Sequence, residues 1–453
     1  NNKYKHMKIR HFAIIVGFLT TSLIYAQNKQ ISLEDIWSGT FRTEGMQALH
    51  SMNNGKQYSV LNFNRQNRTA SIDIYDYKTL QKVKTLVAST NINEIQGFFD
   101  YSFSDDESKV MLTTKSQPVF RHSTLGEFYI YDIASKKTTK VSNDLVQEPT
   151  LSPDGTKVAY GFENNLYVKN LTTGKVEQIT FDGEKNKIIN GITDWVYEEE
   201  FAFVRAFDWN ADSNKIAFIR FDETDVPEFS MDVFGSGLYQ TQHVFKYPKA
   251  GEANANVSLH LYDLASKKVN ALKVDKAYQD FYIPRLKWTK DANVLSVQFM
   301  NRHQNELDLW MIDTDVMASK LVLAEKDNAY IDVTFNLTFL KDNSFIWTSE
   351  KDGYNHIYHY AKDGKLINQV TQGNWEVTDY YGFNEKENTI YYQSTENGSI
   401  NRAVYAIKLN GKNKKCLTEK EGTNSASFSA DFTYFINTFS SANRPYEYRL
   451  HDA

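Results

Sequence analysis

The sequence predicts an all-β chain folded as an eight-bladed β-propeller of four-stranded antiparallel blades. Aromatic residues make up 14% of the 453 residues, and Tyr and Phe, which favour strands, dominate them. A pair of short strand patterns recurs along the chain, with most copies about 40 to 57 residues apart, the spacing of propeller blades. Helical periodicity of similar length is nearly missing from the sequence, which disfavours a helical solenoid.

Each predicted blade carries two recognisable strands joined through a polar turn. The first is followed by a turn such as residues 152–155, Ser-Pro-Asp-Gly, with related turns near residues 104, 210, 289 and 429. The second ends in Tyr-Asp or a similar pair. Copies of the second strand occur at residues 72–76, 129–133, 166–170, 259–263, 309–313, 357–360, 404–407 and 446–450. Asp, Asn, Gly and Ser end strands because they suit tight turns, so these eight copies predict eight blades.

Residues 1–26 have the pattern of a secretory signal peptide behind a short upstream extension. Met7 begins the signal, Lys8 and Arg10 supply positive charge, and residues 12–23 are mostly apolar. This apolar run is too short for a comfortable membrane span. We expect an exported protein, periplasmic or extracellular, with no membrane attachment after cleavage.

The rest of the chain divides into a short segment and the propeller. Residues 27–48 have no repeat partner, and Ser32 caps a predicted short helix there. The propeller is predicted over residues 49–453. Because the copies at 166 and 259 lie roughly two repeat lengths apart, residues 181–258 are predicted as an insertion, and insertions in propellers often carry function.

Residues 194–200, with the sequence DWVYEEE, are the strongest functional candidate. Thr193 and Asp194 are good helix caps, so a short helix is predicted here. Glu199 and Glu200 would lie about 100° apart on a helix and could converge on one cation. An isolated run of three glutamates is more often a solvated acidic turn, and that interpretation stays open at this point.

The sequence resembles the dipeptidyl peptidase IV family of serine exopeptidases over most of its length. Residues 194–200 are similar to the family signature, and residues 121–123 and 129–132 resemble the segment that carries its substrate-binding arginine. Residues 226–227 and 247–251 match the two ends of the family's extended arm, and residues 373–377 match a later blade. The family architecture is an eight-bladed propeller joined to an α/β-hydrolase domain.

The resemblance implies a role for three side chains. Glu199 and Glu200 would hold the free α-amino group of a peptide substrate, and Arg121 would donate to the carbonyl of its second residue. Glu198 is expected to support rather than bind. Trp195 and Tyr197 are expected to be core anchors.

The resemblance also implies a catalytic domain outside this chain. No Gly-x-Ser-x-Gly nucleophile elbow occurs in the sequence, so no catalytic residue is predicted, and this chain alone should bind weakly and cleave nothing. Residues 27–48 would be the N-terminal contribution to the absent hydrolase domain. The complete enzyme would remove Xaa-Pro or Xaa-Ala dipeptides, and the arm at 226–248 could form a homodimer.

Two other interpretations compete with this one. A non-catalytic periplasmic propeller that binds a protein or peptide partner would share the same turns, and a prolyl tripeptidyl peptidase would anchor the amine elsewhere. No metal or cofactor is predicted: His356 and His359 would face opposite sides of a strand, and Cys416 is the single cysteine. A net charge of -5 without a basic patch disfavours nucleic-acid binding.

Overall fold

The structure, a computed structural model, describes residues 30–453, so the signal peptide predicted at residues 1–26 lies outside the described residues. The chain divides into two compact units, one ending at Met46 and one spanning Gln47–Ala453. In the first unit the described residues form one helix, α1 (Leu33–Trp37). Ser32 caps it: its Oγ accepts a hydrogen bond from the Asp35 amide at 3.1 Å, which confirms the predicted helix start.

The second unit consists of eight antiparallel sheets that follow one another along the chain, each forming one blade. The predicted all-β, eight-bladed propeller is therefore confirmed. Within residues 30–453, six blades have four strands, the fourth has five and the eighth has three. In most blades the strand order is the chain order, because short polar turns join neighbouring strands.

The first four blades contain nineteen strands in total, counting one additional hairpin. Blade 1 contains β1 (Leu49–Ser51), β2 (Gln57–Asn64), β3 (Thr69–Asp76) and β4 (Lys82–Ala88), and a short 3-10 helix (Ser89–Asn91) follows it. Blade 2 contains β5 (Asp100–Phe103), β6 (Lys109–Pro118), β7 (Thr124–Asp132) and β8 (Thr138–Lys140). Blade 3 contains β9 (Gln147–Leu151), β10 (Lys157–Phe162), β11 (Asn165–Asn170) and β12 (Val176–Gln178). Blade 4 contains β13 (Ile188–Asn190), β14 (Phe207–Trp209), β15 (Lys215–Asp222), β18 (Asn256–Asp263) and β19 (Lys268–Leu272), and β16 (Glu228–Val233) and β17 (Thr241–Lys246) form the additional hairpin.

The last four blades are more regular. Blade 5 contains β20 (Phe281–Trp288), β21 (Val294–Asn301), β22 (Glu306–Asp313) and β23 (Ala318–Lys326). Blade 6 contains β24 (Thr338–Phe339), β25 (Phe345–Ser349), β26 (His356–Tyr360) and β27 (Leu366–Gln369). Blade 7 contains β28 (Val377–Asn384), β29 (Thr389–Ser394), β30 (Ala403–Lys408) and β31 (Lys415–Cys416), and blade 8 contains β32 (Thr423–Phe428), β33 (Tyr434–Ser441) and β34 (Arg444–Asp452).

Blade 4 departs from the regular pattern because its first strand is broken in two. Both β13 and β14 pair with β15, at opposite ends of that strand. The chain between the two pieces carries the second helix, α2 (Trp195–Glu200). The predicted insertion at 181–258 is therefore too wide: it includes three strands of blade 4, and the added elements are the helix and the hairpin β16–β17.

The eighth blade packs against the first and closes the ring. The Ala430 amide donates to Ser51 Oγ at 2.8 Å, and the rings of Tyr77 and Tyr434 stack with centroids 5.5 Å apart. Similar turn-to-turn bonds join other neighbouring blades, such as the Lys290 amide to Asn343 Oδ1 at 3.0 Å. The polar turns therefore connect blades as well as strands.

Apolar side chains fill the space between adjacent sheets, and the largest buried cluster spans blades 4, 5 and 6. It contains Phe221, Trp288, Val297, Trp310 and Tyr358, each with less than a tenth of its surface exposed. This cluster fixes the blades on which helix α2 rests. Among residues 30–453, no helix is long and apolar enough to cross a membrane.

Candidate functional site

Helix α2 is held at both its start and its buried face. Asp194 caps it, since its Oδ1 accepts from the Tyr197 amide at 3.0 Å. The Tyr197 ring is 2% exposed, and its hydroxyl accepts from the Ile283 amide of blade 5 at 2.8 Å. The predicted helix and the predicted anchoring role of Tyr197 are both confirmed, and the glutamates that follow are carried on a fixed support.

Glu198 joins helix α2 to a loop of blade 2. Its side chain is fully buried, and its Oε1 accepts from the backbone amides of His122 and Ser123 at 2.6 and 2.8 Å. Two backbone donors thus converge on one carboxyl oxygen of Glu198. Glu198 therefore supports the site, as expected, by holding the residues that follow Arg121 against the helix.

The structure brings Arg121 and Glu199 together. The Arg121 Nε lies 3.1 Å from both carboxylate oxygens of Glu199. The side chain of Arg121 is 72% exposed, whereas that of Glu199 is 18% exposed. Because the pair is open to water on the arginine side, its net contribution to stability is at most about 1 kcal/mol.

Glu200 is exposed at the end of the same helix. Its charge acts on Tyr330, whose pKa is raised by burial, by Asp332 and by Glu200. Glu200 therefore lies near the loop that precedes blade 6, and Glu199 contacts the blade 2 loop through Arg121. The three predicted residues lie on two neighbouring elements, and Arg121 and Glu199 are in direct contact.

A cavity of about 880 Å³ borders Arg121 and Glu199, and aromatic side chains form much of its wall. The rings of Phe120 and Phe245 lie 5.5 Å apart, and those of Trp195 and Tyr247 lie 4.3 Å apart. The hairpin β16–β17 thus packs against both the blade 2 loop and the helix. The sequence analysis placed Trp195 in the core, but the structure leaves it half-buried at this wall.

Two acidic groups are buried beneath the glutamates. Burial raises the pKa of Asp194 to about 6. Burial and the nearby Asp194 together raise the pKa of Glu223 to about 7. Both groups resist ionisation because charge is costly away from water.

The chemistry available at the site is recognition of a cation by carboxylates. Glu199 has its negative charge at a cavity wall, Glu200 follows it on the same helix, and Arg121 offers further N–H donors beside them. An ammonium group has three donors and one positive charge, which two carboxylates can satisfy. Within residues 30–453, no group of three or more His, Cys, Asp or Glu side chains is arranged to hold a metal ion.

Comparison with known proteins assigns this helix-bearing propeller to a family. The fold is a β-propeller in which a glutamate-bearing helix interrupts the fourth blade. A family model described as the dipeptidyl peptidase IV (DPP IV) N-terminal region matches residues 104–446. The chain therefore belongs to the dipeptidyl peptidase IV family, as the sequence resemblance predicted.

Individual relatives agree with this assignment. The crystal structure of Porphyromonas gingivalis dipeptidyl peptidase 4 superposes with a TM-score of 0.88 at 36% identity, covering 94% of this chain and 61% of that one. Dipeptidyl peptidase 4 of Trichophyton rubrum is 30% identical over 383 residues, covering 80% of this chain and 49% of that protein. The protein of the same name from Trichophyton tonsurans gives the same figures. The chain spans about half the length of the curated relatives it matches.

Proposed function

We propose that this chain is the substrate-binding propeller of a secreted serine dipeptidyl peptidase that removes N-terminal Xaa-Pro or Xaa-Ala dipeptides from peptides. In this proposal Glu199 and Glu200 bind the α-ammonium group of the peptide. The observation that carries the proposal is the meeting of Arg121 and Glu199, 78 residues apart in sequence, at one cavity wall. Glu200, exposed on the same short helix, supplies the second carboxylate.

The Arg121–Glu199 pair can admit a substrate at low cost. Because Arg121 is mostly exposed, exchanging its contact with Glu199 for a peptide ammonium costs at most about 1 kcal/mol. Only Nε of Arg121 contacts Glu199, so the two Nη groups can donate to a peptide carbonyl at the same time. The ammonium contact and the carbonyl contact together fix the register of the peptide.

A peptide without a free amine would bind poorly for a physical reason. It would leave Glu199 with Arg121 as its partner but cover the carboxylate of Glu200 without giving it one, and an unpaired charge removed from water is costly. The site would therefore discriminate against peptides that lack a free amine, and this selectivity would make the enzyme an exopeptidase. The carbonyl contact from Arg121 would set the distance to the second residue.

The catalytic serine belongs, in this proposal, to an α/β-hydrolase domain outside the chain. The names of the relatives, which are longer dipeptidyl peptidases of which the matched region covers about half, support this division. Homodimerisation through the arm is part of the same proposal. Its support is the tip of the hairpin, where Phe234, Leu238 and Tyr239 are each at least 80% exposed.

The experiment measures hydrolysis of Ala-Pro-anilide by the complete protein. Glu199→Gln and Glu200→Gln should each lower kcat/KM about a hundredfold, the scale of a lost charge-assisted contact of roughly 3 kcal/mol. Glu184→Gln, at an exposed acid of the same blade region, is the matched control and should leave kcat/KM unchanged. Unchanged kinetics in both site variants would refute the amine-binding assignment.

A further inference from the structure

Arg285, on the first strand of blade 5, is held between two aromatic rings. Its guanidinium carbon lies 3.7 Å from the centroid of the Phe335 ring and 5.3 Å from that of Phe203. Stacking on ring faces holds the planar guanidinium in one orientation and leaves its N–H groups directed along its edges. The orientation of Arg285 is thus fixed before any ligand arrives.

One edge of this guanidinium has no acceptor. Nη1 donates to the Pro284 carbonyl at 2.6 Å, whereas Nε is buried and has no hydrogen-bond partner. Burial alone lowers the pKa of Arg285 to about 10, and no carboxylate among residues 30–453 offsets that effect. A buried donor without an acceptor is costly, so the unpartnered Nε edge favours binding of an anionic acceptor.

Arg285 borders a cavity of about 480 Å³. The first strands of blades 3, 4 and 5 contribute Glu148, Asp208 and Lys287 to the same wall. Arg205 also lines this cavity, so three basic side chains, including Arg285 and Lys287, face two acidic ones, Glu148 and Asp208. The cavity therefore favours an anionic ligand, and the unpartnered Nε edge of Arg285 can donate hydrogen bonds to that ligand.

The cavity lies beside the proposed amine site. Phe203, which stacks on Arg285, follows Glu200 by three residues, and its ring packs 6.0 Å from that of Tyr197. Phe335 belongs to the same loop as Tyr330, the residue on which the charge of Glu200 acts. A peptide whose amine is held by the glutamates would start next to this cavity.

We propose that the Nε edge of Arg285 binds a side-chain carboxylate, Asp or Glu, on the first residue of the peptide. This inference rests on the proposed function, because the glutamates place that residue. The guanidinium edge, with Nε and Nη2 side by side, matches the two oxygens of a carboxylate. The enzyme would then prefer peptides that begin with an acidic residue followed by proline or alanine.

The test measures binding of two dipeptide amides, Glu-Pro-amide and Gln-Pro-amide, to the complete protein by calorimetry. The wild type should bind Glu-Pro-amide about tenfold more tightly, the scale of one charge-assisted pair. Arg285→Met should abolish this difference and keep the affinity for Gln-Pro-amide. Lys290→Met, which removes an exposed charge from the same blade, should retain the difference.

The possible failures can be told apart. Equal affinity of the two amides in the wild type, or a preference that survives in Arg285→Met, refutes the carboxylate site alone. If neither amide binds, both the carboxylate site and the proposed function are refuted. If binding of both amides is insensitive to Glu199→Gln, the proposed amine site is refuted. The difference in affinity between Glu-Pro-amide and Gln-Pro-amide then still decides the role of Arg285. Thermal unfolding of Arg285→Met should show a cooperative transition, which checks that the variant is folded when its binding is measured.

Discussion

Glu198 shows how a residue can shape the site without touching a substrate. Its buried carboxylate accepts two backbone amides from the loop that carries Arg121, and these partners lie 75 and 76 residues away in sequence. A supporting role for Glu198 was expected from the family resemblance. It could not predict the partners, because backbone amides of a distant loop leave no pattern in the residue types.

The supporting role of Glu198 predicts a specific coupling. Glu198→Ala should leave the amides of His122 and Ser123 without their acceptor and lower kcat/KM on Ala-Pro-anilide about tenfold. In an Arg121→Ala background the same change should have little further effect, because the loop no longer presents the guanidinium. Additive losses in a double-mutant cycle would contradict this role. Circular dichroism checks that each variant folds.

The stacked guanidinium of Arg285 lay outside the sequence analysis for a similar reason. Phe203 and Phe335 belong to different blades, and Arg285 belongs to a third element, β20. In the sequence, Arg285 lies in a run of residues typical of a strand. A single polar side chain in such a run gives no signal of a binding role. Only the packing of blades 4, 5 and 6 against one another places these three side chains together.

At the scale of elements, helix α2 lies next to acidic side chains that are buried in the fold. The cap residue Asp194 was predictable from its sequence position, whereas the broken first strand of blade 4 was not. Its two pieces, β13 and β14, have three residues each, and such short strands carry too little alternation to be recognised. The helix was therefore predicted correctly, but within an insertion drawn too wide.

The buried acids predict how stability depends on pH. The folded pKa values of Asp194 and Glu223, about 6 and about 7, lie above the ordinary values of these groups. The folded protein thus holds these protons more tightly than the unfolded chain, so the contribution of these two groups to stability should be greatest below about pH 4 and be lost as the pH rises through 6 to 7. Each group should cost on the order of 3 kcal/mol above that range.

Asp194→Asn tests this dependence directly. Asparagine keeps the helix cap and removes the buried charge, so the variant should be more stable than the wild type at pH 8 and should lose less stability between pH 4 and 7. Urea unfolding at a series of pH values measures it, with the exposed Asp212→Asn as the control. A variant curve parallel to that of the wild type would contradict a raised pKa at Asp194.

At the scale of the whole molecule, eight sequence repeats correctly predicted eight blades. The repeats work as a predictor because each blade buries its faces against its neighbours and therefore needs the same pattern of apolar strands and polar turns. The contact that joins the first and last blades could not be predicted from the repeats. Ser51 and Ala430 are 379 residues apart, and the recurring turn that contains Ala430 does not indicate which blade it contacts, so the pairing of the first and last blades emerges only in the structure.

Gly55 provides a test of ring closure. It has a positive φ of 67°, and an added Cβ would overlap the Asp431 carboxyl group of blade 8, which Ser429 and Thr433 hold in place. Gly55→Ala should therefore destabilise the propeller by about 1–3 kcal/mol more than Gly174→Ala. Gly174 has a similar φ of 74° with no neighbour within 4 Å, so it reports the backbone cost alone. Equal losses in urea unfolding would show that the two blades do not meet at this point.

The central claim is that Glu199 and Glu200 recognise a free peptide amine, and one binding measurement tests it most directly. Calorimetry on the complete protein compares Ala-Pro-amide with its analogue in which hydrogen replaces the amino group. The wild type should prefer the free amine about a hundredfold, and the Glu199→Gln, Glu200→Gln double variant should bind the two ligands within about threefold of each other. A preference of equal size in the wild type and the double variant would contradict the claim.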